Sequence, residues 1–247
     1  MTLEEFFTTN PQVAIAFSGG VDSAYLLYAA KKYAQNVRAY YVKTAFQPQF
    51  ELNDALRLAD ELQADMSVIE LNILEDVTIT SNPSNRCYYC KNVIFSNILS
   101  HAKSDGYDVI LDGTNASDDA GDRPGMKALQ ELHVLSPLRL CELTKNDIRR
   151  LSKEAGLFTY DKPSYACLAT RIPTGQIIDA ETLRRTEAAE DYLFSLGFTD
   201  FRVRSIGTTA KLQVKPNDFN CVLEYREQII NELKKYNSSV CLDLEER

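Results

Sequence analysis

Val13-Ala14-Ile15-Ala16-Phe17-Ser18-Gly19-Gly20-Val21-Asp22-Ser23 is an apolar run that breaks into a Gly-Gly turn and passes at once into a helix-forming segment, Ala24 to Ala34. The run Val13 to Phe17 reads as a buried strand of a parallel sheet. A strand, a glycine turn and a helix N-terminus together make an anion cradle. The glycines let backbone approach a phosphate, their N–H groups point inward, and the helix dipole favours negative charge. The loop lacks both the lysine and the spacing of G-x-x-x-x-G-K-S/T, which excludes the common nucleotide-hydrolysing loop.

Around this unit, strand and helix alternate. Val37 to Lys43 is the next strand, followed by a helix within Gln49 to Gln63 and a strand at Met66 to Leu71. A loop with Asn82-Pro83 and Cys87-Tyr88-Tyr89-Cys90 leads to a helix at about Asn92 to Lys103 and a strand at Tyr107 to Leu111. Such alternation predicts an α/β fold with a doubly wound parallel sheet. Ligands bind such sheets beyond the carboxyl ends of the strands, where the glycine turn and Asp112-Gly113-Thr114-Asn115 both fall. Thr144-x-x-Asp147 caps a short helix that stops at Gly156. After an irregular stretch from Asp161 to Gly175 the pattern changes to helix, two strands, a helix over about Asp218 to Tyr236, and a last strand at Val240 to Leu244. The division expected is a nucleotide-binding domain over 1–172 and a small C-terminal α+β domain over 173–247.

The chain has 247 residues and a formal net charge of −8, which opposes general nucleic-acid binding. No secretory signal and no apolar run of membrane-spanning length is visible, so a cytoplasmic protein with no membrane partner is expected. Its six cysteines are then read as thiols before disulfides.

Several residues carry candidate chemistry. Asp22 is placed to share Mg²⁺ with a pyrophosphate, since Mg²⁺ prefers oxygen ligands, and Asp118 or Asp119 is a second acid for it. Ser18 and Ser23 offer hydroxyls, and Arg123 a guanidinium. Cys167 lies in Lys162-Pro163-Ser164-Tyr165-Ala166-Cys167-Leu168-Ala169-Thr170-Arg171. A cysteine beside Ala and Leu is more often a small buried hydrophobe. The irregular, Pro-bounded setting, with Lys162 and Arg171 to favour a thiolate, argues for a nucleophile instead. Cys87 and Cys90 lack a second C-x-x-C, which disfavours a closed zinc site; Cys141, Cys221 and Cys241 read as packing residues. Period-two alternation puts Arg202 and Arg204 on one face of a strand, a pair suited to a phosphate monoester or to plain solvation. Glu187 and Glu190 read as solvated acids, with Glu190 the one to test.

Ser18 to Ser23 matches the PP-loop, S-G-G-x-D-S, of ATP pyrophosphatases. With Asn85-Arg86-Cys87-Tyr88-Tyr89-Cys90-Lys91, Asp112-Gly113-Thr114-Asn115, Arg123-Pro124-Gly125 and Ala166-Cys167-Leu168-Ala169-Thr170-Arg171-Ile172-Pro173, the chain resembles the LarE-type ATP-dependent sacrificial sulfur transferases of nickel-pincer cofactor synthesis. The resemblance implies ATP and Mg²⁺ as cofactors and a nucleotide-like small molecule, pyridinium-3,5-biscarboxylic acid mononucleotide, as substrate. It implies adenylation of a substrate carboxylate, attack by Cys167, and release of its sulfur to leave dehydroalanine. It further implies that Ser18, Gly19, Gly20, Val21, Asp22, Ser23, Gly113, Arg123 and Arg171 serve nucleotide and substrate binding, with Arg202 and Arg204 on the substrate phosphate. Asp22, Asp119 and Glu190 would be metal acids. A homo-oligomer and a downstream nickel-insertion partner are also implied. Thr174 departs from the family pattern, where an aromatic residue is expected. Some relatives use three cysteines for an iron–sulfur cluster, a role open here to Cys87, Cys90 and Cys167. A tRNA thiolase, an amidotransferase-like synthetase and a non-enzymatic ATP sensor are the competing readings.

Overall fold

In a computed structural model, residues 1–118 and 124–245 are described. The chain divides into two compact units, Met1–Ile73 with Asn85–Ser164, and Leu74–Ser84 with Tyr165–Arg247. This division falls at Ser164 and Tyr165, where the sequence-based one falls after 172. It also assigns the loop segment 74–84 to the second unit. The physical reason is visible in the hydrogen bonds given below.

The first unit opens with α1 (Leu3–Thr9), β1 (Gln12–Ala16), α2 (Val21–Tyr33), β2 (Asn36–Lys43), α3 (Gln49–Glu61) and β3 (Asp65–Glu70). It continues with α4 (Arg86–Ser104), β4 (Ile110–Leu111), α5 (Pro124–Glu131), α6 (Pro137–Leu140) and α7 (Lys145–Glu154). Its four strands run parallel in the order β3-β2-β1-β4. The β-strand period of two sends Val13 and Ile15 to one face and Ala14 to the other. On the first face they join Leu26, Leu27, Leu58 and Ile148; on the second, Ala14 joins Tyr40, Phe95, Ile98 and Leu129. Both faces are therefore covered by helices, as a parallel sheet requires. The chain order reverses between β1 and β4, so the loops leaving these two strands diverge at a switch point and leave a crevice there. The helix at Cys87 and Cys90 begins earlier than expected. Arg86 opens it, so Cys87 and Cys90 are its second and fifth residues, at i, i+3 spacing.

The second unit contains a helical turn at Val77–Thr80, α8 (Ala180–Ser195), β5 (Arg202–Ile206), β6 (Thr209–Gln213), α9 (Phe219–Glu224), α10 (Arg226–Leu233) and β7 (Ser239–Leu242). The single helix expected over 218–236 is broken at Tyr225 into two. β5 and β6 pair antiparallel and β6 and β7 parallel. Leu193, Phe198, Phe201, Val203, Leu212, Ile229 and Leu233 form the core. Cys141 and Cys221 pack beside apolar clusters as expected, but Cys241 is exposed on β7.

Asn82 ties segment 74–84 into this unit. It is fully buried in the left-handed region, with φ 55°. Its amide donates to the carbonyls of Ile172 (3.3 Å) and Pro173 (2.8 Å), and its own carbonyl accepts from Gly175 N–H. Ile178 N–H donates to Thr80. Asn tolerates this backbone better than most residues, and its truncation strands two buried carbonyls. Asn82→Ala is expected to destabilise the second unit by about 2–4 kcal/mol. Hydrogen exchange should show lost protection at the Gly175 and Ile178 amides; unchanged protection there would refute the pinning role.

Candidate functional site

The phosphate cradle is assembled at the β1 end of the first unit. Gly19 has φ 72°, and a Cβ there would lie 3.2 Å from both Ala55 Cβ and the Glu51 carbonyl, so α3 closes directly on the turn. Gly20 caps α2, and Asp22 sits in that helix's first turn, where its dipole favours an anion. Gly113 approaches from the β4 side: a Cβ there would stand 3.0 Å from the Ser23 nitrogen. Only a residue without a side chain lets the two loops come this close. Ser23 is used internally, since its hydroxyl donates to the Gly20 carbonyl and accepts from Ser18 N–H. These bonds hold the turn, together with a contact between the Ser18 and Ser23 hydroxyls at 3.1 Å. Ser18 remains exposed.

Two lysines reach this cradle from far along the chain. Lys145, the first residue of α7, places Nζ 2.5 Å from Asp22 Oδ2, while Asn115 Nδ2 lies 3.3 Å from Asp22 Oδ1. Lys162 bonds Asp54 at 2.6 Å, with Nζ 3.5 Å from the Gly19 carbonyl. Lys162 therefore belongs to the glycine turn. The sequence carried one signal for Lys145: a cation on the first turn of a helix is opposed by the dipole and needs a partner elsewhere.

The acids after β4 hold their own loop. Asp112 is buried and accepts from the hydroxyls of Thr114 and Ser136; Asp118 accepts from Asn115 N–H at 3.0 Å. Asp119 and Arg123 lie outside the described residues. Among the described residues no group of three His, Cys, Asp or Glu side chains can hold a metal ion. One carboxylate at a phosphate cradle still fits Mg²⁺, which ordinarily keeps its waters and shares substrate phosphates with one or two acids. Asp22 meets that description.

In the second unit, Cys167 is half-buried at the head of a single 3-10 turn, Leu168–Arg171. Leu168 and Ala169 are fully buried and anchor the turn. Arg171, 0% exposed, binds Glu190 through Nε (2.7 Å) and a terminal nitrogen (3.0 Å). Its other terminal nitrogen donates to the Ala166 carbonyl and the Thr170 hydroxyl, which in turn donates to the Cys167 carbonyl. Arg204 donates to the Thr170 carbonyl at 2.9 Å. Two guanidiniums thus clasp the backbone on both sides of the thiol. Tyr165 completes the cluster: its hydroxyl donates to Glu190, and its ring lies 4.5 Å from the Arg171 guanidinium carbon and 5.2 Å from that of Arg202.

Glu190 is neither solvated nor open to a metal. It is 1% exposed, and its oxygens accept from Arg171, Tyr165 and Val203 N–H. A metal there would have to displace the bidentate arginine, so the expected metal role yields to that of an anchor. Burial opposes the charge on Arg171, and the Glu190 hydrogen bonds, with help from Tyr165 and Cys167, outweigh it and raise its pKa. Coupling is mutual, so Arg171 favours the Cys167 thiolate. Arg202, also buried, is pushed down to about 10 by desolvation and by the neighbouring Arg171, and it stays protonated at neutral pH. Arg171 and Arg204 act on Arg202 as like charges and Glu190 as an opposite one.

A family model for the queuosine biosynthesis protein QueC matches residues 12–87, which span the cradle. The chain is 31% identical, over 94% of its length and 86% of the relative's, to the pyridinium-3,5-bisthiocarboxylic acid mononucleotide synthase of Lactiplantibacillus plantarum. It is 35% identical, over 87% of its length and 80% of the relative's, to an uncharacterized protein of Synechocystis sp.. The tRNA-specific 2-thiouridylase MnmA of Thermotoga maritima is more distant, at 24% identity over 61% of this chain and 54% of the relative. The chain belongs to the family of the pyridinium-3,5-bisthiocarboxylic acid mononucleotide synthase, the LarE family, and its first unit is a PP-loop domain.

Gly113→Ala should force the β4 loop away from α2 at a cost of roughly 1–3 kcal/mol and weaken nucleotide binding, measured by calorimetric titration with ATP. Wild-type affinity in that variant would contradict the close-approach account. Glu190→Gln leaves the Arg171 charge buried without its counter-ion and should cost about 3–5 kcal/mol. Alkylation of Cys167 should change with it, whereas that of Cys241, on the far side of β6 in the sheet order, should not.

Proposed function

We propose that this member of the family is an ATP-dependent sulfur transferase that adenylates a carboxylate of pyridinium-3,5-biscarboxylic acid mononucleotide and gives it the sulfur of Cys167. The observation that carries the reading is the Cys167 turn: a half-buried thiol on backbone fixed by Arg171 and Arg204, beside a guanidinium that favours its thiolate. Family membership supplies the reaction class.

ATP would lie with its phosphates on Ser18 to Asp22, and Mg²⁺ would be shared between those phosphates and Asp22. A carboxylate oxygen of the substrate attacks the α-phosphorus, the bond to the β-phosphate bridging oxygen breaks, and pyrophosphate leaves. The Cys167 thiolate then attacks the acyl carbon and AMP departs, leaving a thioester. Removal of the Cys167 α-proton with cleavage of its Cβ–S bond releases the thiocarboxylate and converts the residue to dehydroalanine. Arg202, in a locally positive setting, would receive the substrate's phosphate, with Arg204 steadying both β6 through Gln213 and the Cys167 turn. No helix among the described residues is long and apolar enough to cross a membrane, in keeping with a cytoplasmic site of action. A homo-oligomer and a downstream nickel-insertion protein that takes the product complete the reading.

The test is peptide mass spectrometry after anaerobic incubation with ATP, Mg²⁺ and the pyridinium dicarboxylate mononucleotide. Loss of one H₂S located at Cys167, stoichiometric with product, is expected. Thiocarboxylate product with Cys167 intact would overturn the sacrificial step in favour of a cluster or external sulfur. Absence of both product and pyrophosphate would overturn the substrate assignment.

A further inference from the structure

Release of sulfur from Cys167 requires the loss of its α-proton. A peptide α-carbon is a very weak acid, because the charge left behind has one good outlet, the carbonyl oxygen of the same residue. In this fold that oxygen accepts from Thr170 N–H at 2.9 Å and from the Thr170 hydroxyl at 2.8 Å. Two donors therefore converge on the atom where negative charge develops as the α-proton leaves. Preorganised donors aimed at a developing oxyanion are the largest single source of catalysis in many acyl-transfer sites.

Each donor taken alone has an ordinary explanation. The N–H bond closes a 3-10 turn, and threonine hydroxyls often bond a carbonyl in the preceding turn. What goes beyond the ordinary is the group behind the hydroxyl. Arg171 donates to Thr170 Oγ at 2.8 Å. A guanidinium offers no acceptor, so the single hydrogen of that hydroxyl is left for the Cys167 carbonyl. Arg171 is itself fully buried and fixed by two bonds to Glu190. A hydroxyl polarised by a charged donor is the stronger donor in turn, since bonds in a chain reinforce one another. The turn is held on both sides: Arg204 donates to the Thr170 carbonyl at 2.9 Å, and Arg171 to the Ala166 carbonyl at 2.9 Å. The Ala166 bond falls on the peptide that precedes Cys167 and draws electron density from the Cys167 nitrogen.

Resting on the reading that Cys167 gives up its own sulfur, we infer that Thr170 is a catalytic residue of that elimination, its N–H and hydroxyl forming an oxyanion hole for the enolate of Cys167. Arg171 acts through Thr170 as a positioning residue. In the adduct the Cys167 sulfur is bonded to the acyl carbon of the substrate. The α-proton passes to a water molecule, and its electron pair spreads over Cα and the Cys167 carbonyl oxygen. That pair then closes the Cα=Cβ double bond, while the Cβ–S bonding pair departs with sulfur as the thiocarboxylate. No oxidant or reductant is consumed. The hydroxyl bond meets a neutral carbonyl before the step and an anionic oxygen during it. Charge strengthens such bonds, so the interaction is greater in the transition state than in the ground state, which is the condition for acceleration.

The test follows Cys167 through a single turnover in wild type, Thr170→Val and Thr170→Ser. Protein is mixed anaerobically with ATP, Mg²⁺ and the pyridinium dicarboxylate mononucleotide and quenched with acid at intervals. Intact and peptide mass spectra then separate free Cys167, its substrate adduct and dehydroalanine. Thr170→Val keeps the shape and loses the hydroxyl. It should accumulate the adduct and convert it to dehydroalanine about 10²-fold more slowly than wild type. Thr170→Ser restores the donor and should recover most of that rate. Conversion by Thr170→Val within about threefold of wild type would overturn the inference and leave the proposed function standing. Folded Thr170→Val that forms no adduct would overturn it as well, since the hydroxyl would then serve the turn and not the elimination. If Thr170→Val does not fold, Thr170→Ala lacks the same hydroxyl and is held to the same outcomes. Wild-type protein that makes thiocarboxylate with no dehydroalanine at Cys167 would overturn the sacrificial reading itself, and the inference with it.

Discussion

Arg171 is a guanidinium with no access to water, and the surroundings of Cys167 follow from how its charge is met. Glu190 answers it with two oxygens, and the remaining donors go to the backbone at Ala166 and the hydroxyl of Thr170. A buried ion pair of this kind adds little net stability compared with apolar packing, but breaking it is costly. Its value here is geometric. It fixes a single turn of chain, in a region with no regular partner, so that one thiol among six is held at a set place and in a positive field. Tyr165 and Arg202 extend the same cluster, where burial first and the neighbouring Arg171 charge second hold the pKa of Arg202 down to about 10.

The phosphate cradle works on a different constraint, closeness of backbone. At Gly19 and Gly113 a Cβ would press on α3 and on the first turn of α2 at 3.2 and 3.0 Å. The result is a concave surface of N–H groups at a helix N-terminus, with Asp22 as the carboxylate at its edge. Charge is supplied by lysines from elsewhere in the chain, which keeps the loop itself small. The two units therefore divide the chemistry by physical type. One offers glycine turns and an acid at a helix N-terminus, the other a half-buried thiol on backbone held by guanidiniums.

Much of this was legible in the sequence where chemistry is local. The β1 run, the Gly-Gly turn and the Thr144–Asp147 cap are each written in a few adjacent residues, and the parallel order of the sheet follows from βα alternation. The irregular setting of Cys167 is likewise written locally, between Pro163 and Pro173. Glu190 was misread as a solvated acid because one glutamate on a helix says nothing about a partner 19 residues away. Nor does the sequence around Lys162 reveal its bond to Asp54, 108 residues back. The placing of 74–84 with the second unit has the same origin: Asn82 binds Ile172 and Pro173 through contacts that no window of sequence contains. The helix at Cys87 was called a loop because Asn82-Pro83 signalled a break, and the break ends at Asn85.

The account rests on the sulfur coming from the protein itself, and the most direct measurement follows the atom. Protein grown with cysteine carrying a heavy sulfur isotope would be given unlabelled ATP, Mg²⁺ and the pyridinium dicarboxylate mononucleotide in a buffer free of other sulfur. The account predicts that the thiocarboxylate formed in a single turnover carries the heavy isotope, with no more than one product per chain. Product containing light sulfur after a supply of unlabelled sulfide, or repeated turnover on one chain, would contradict it.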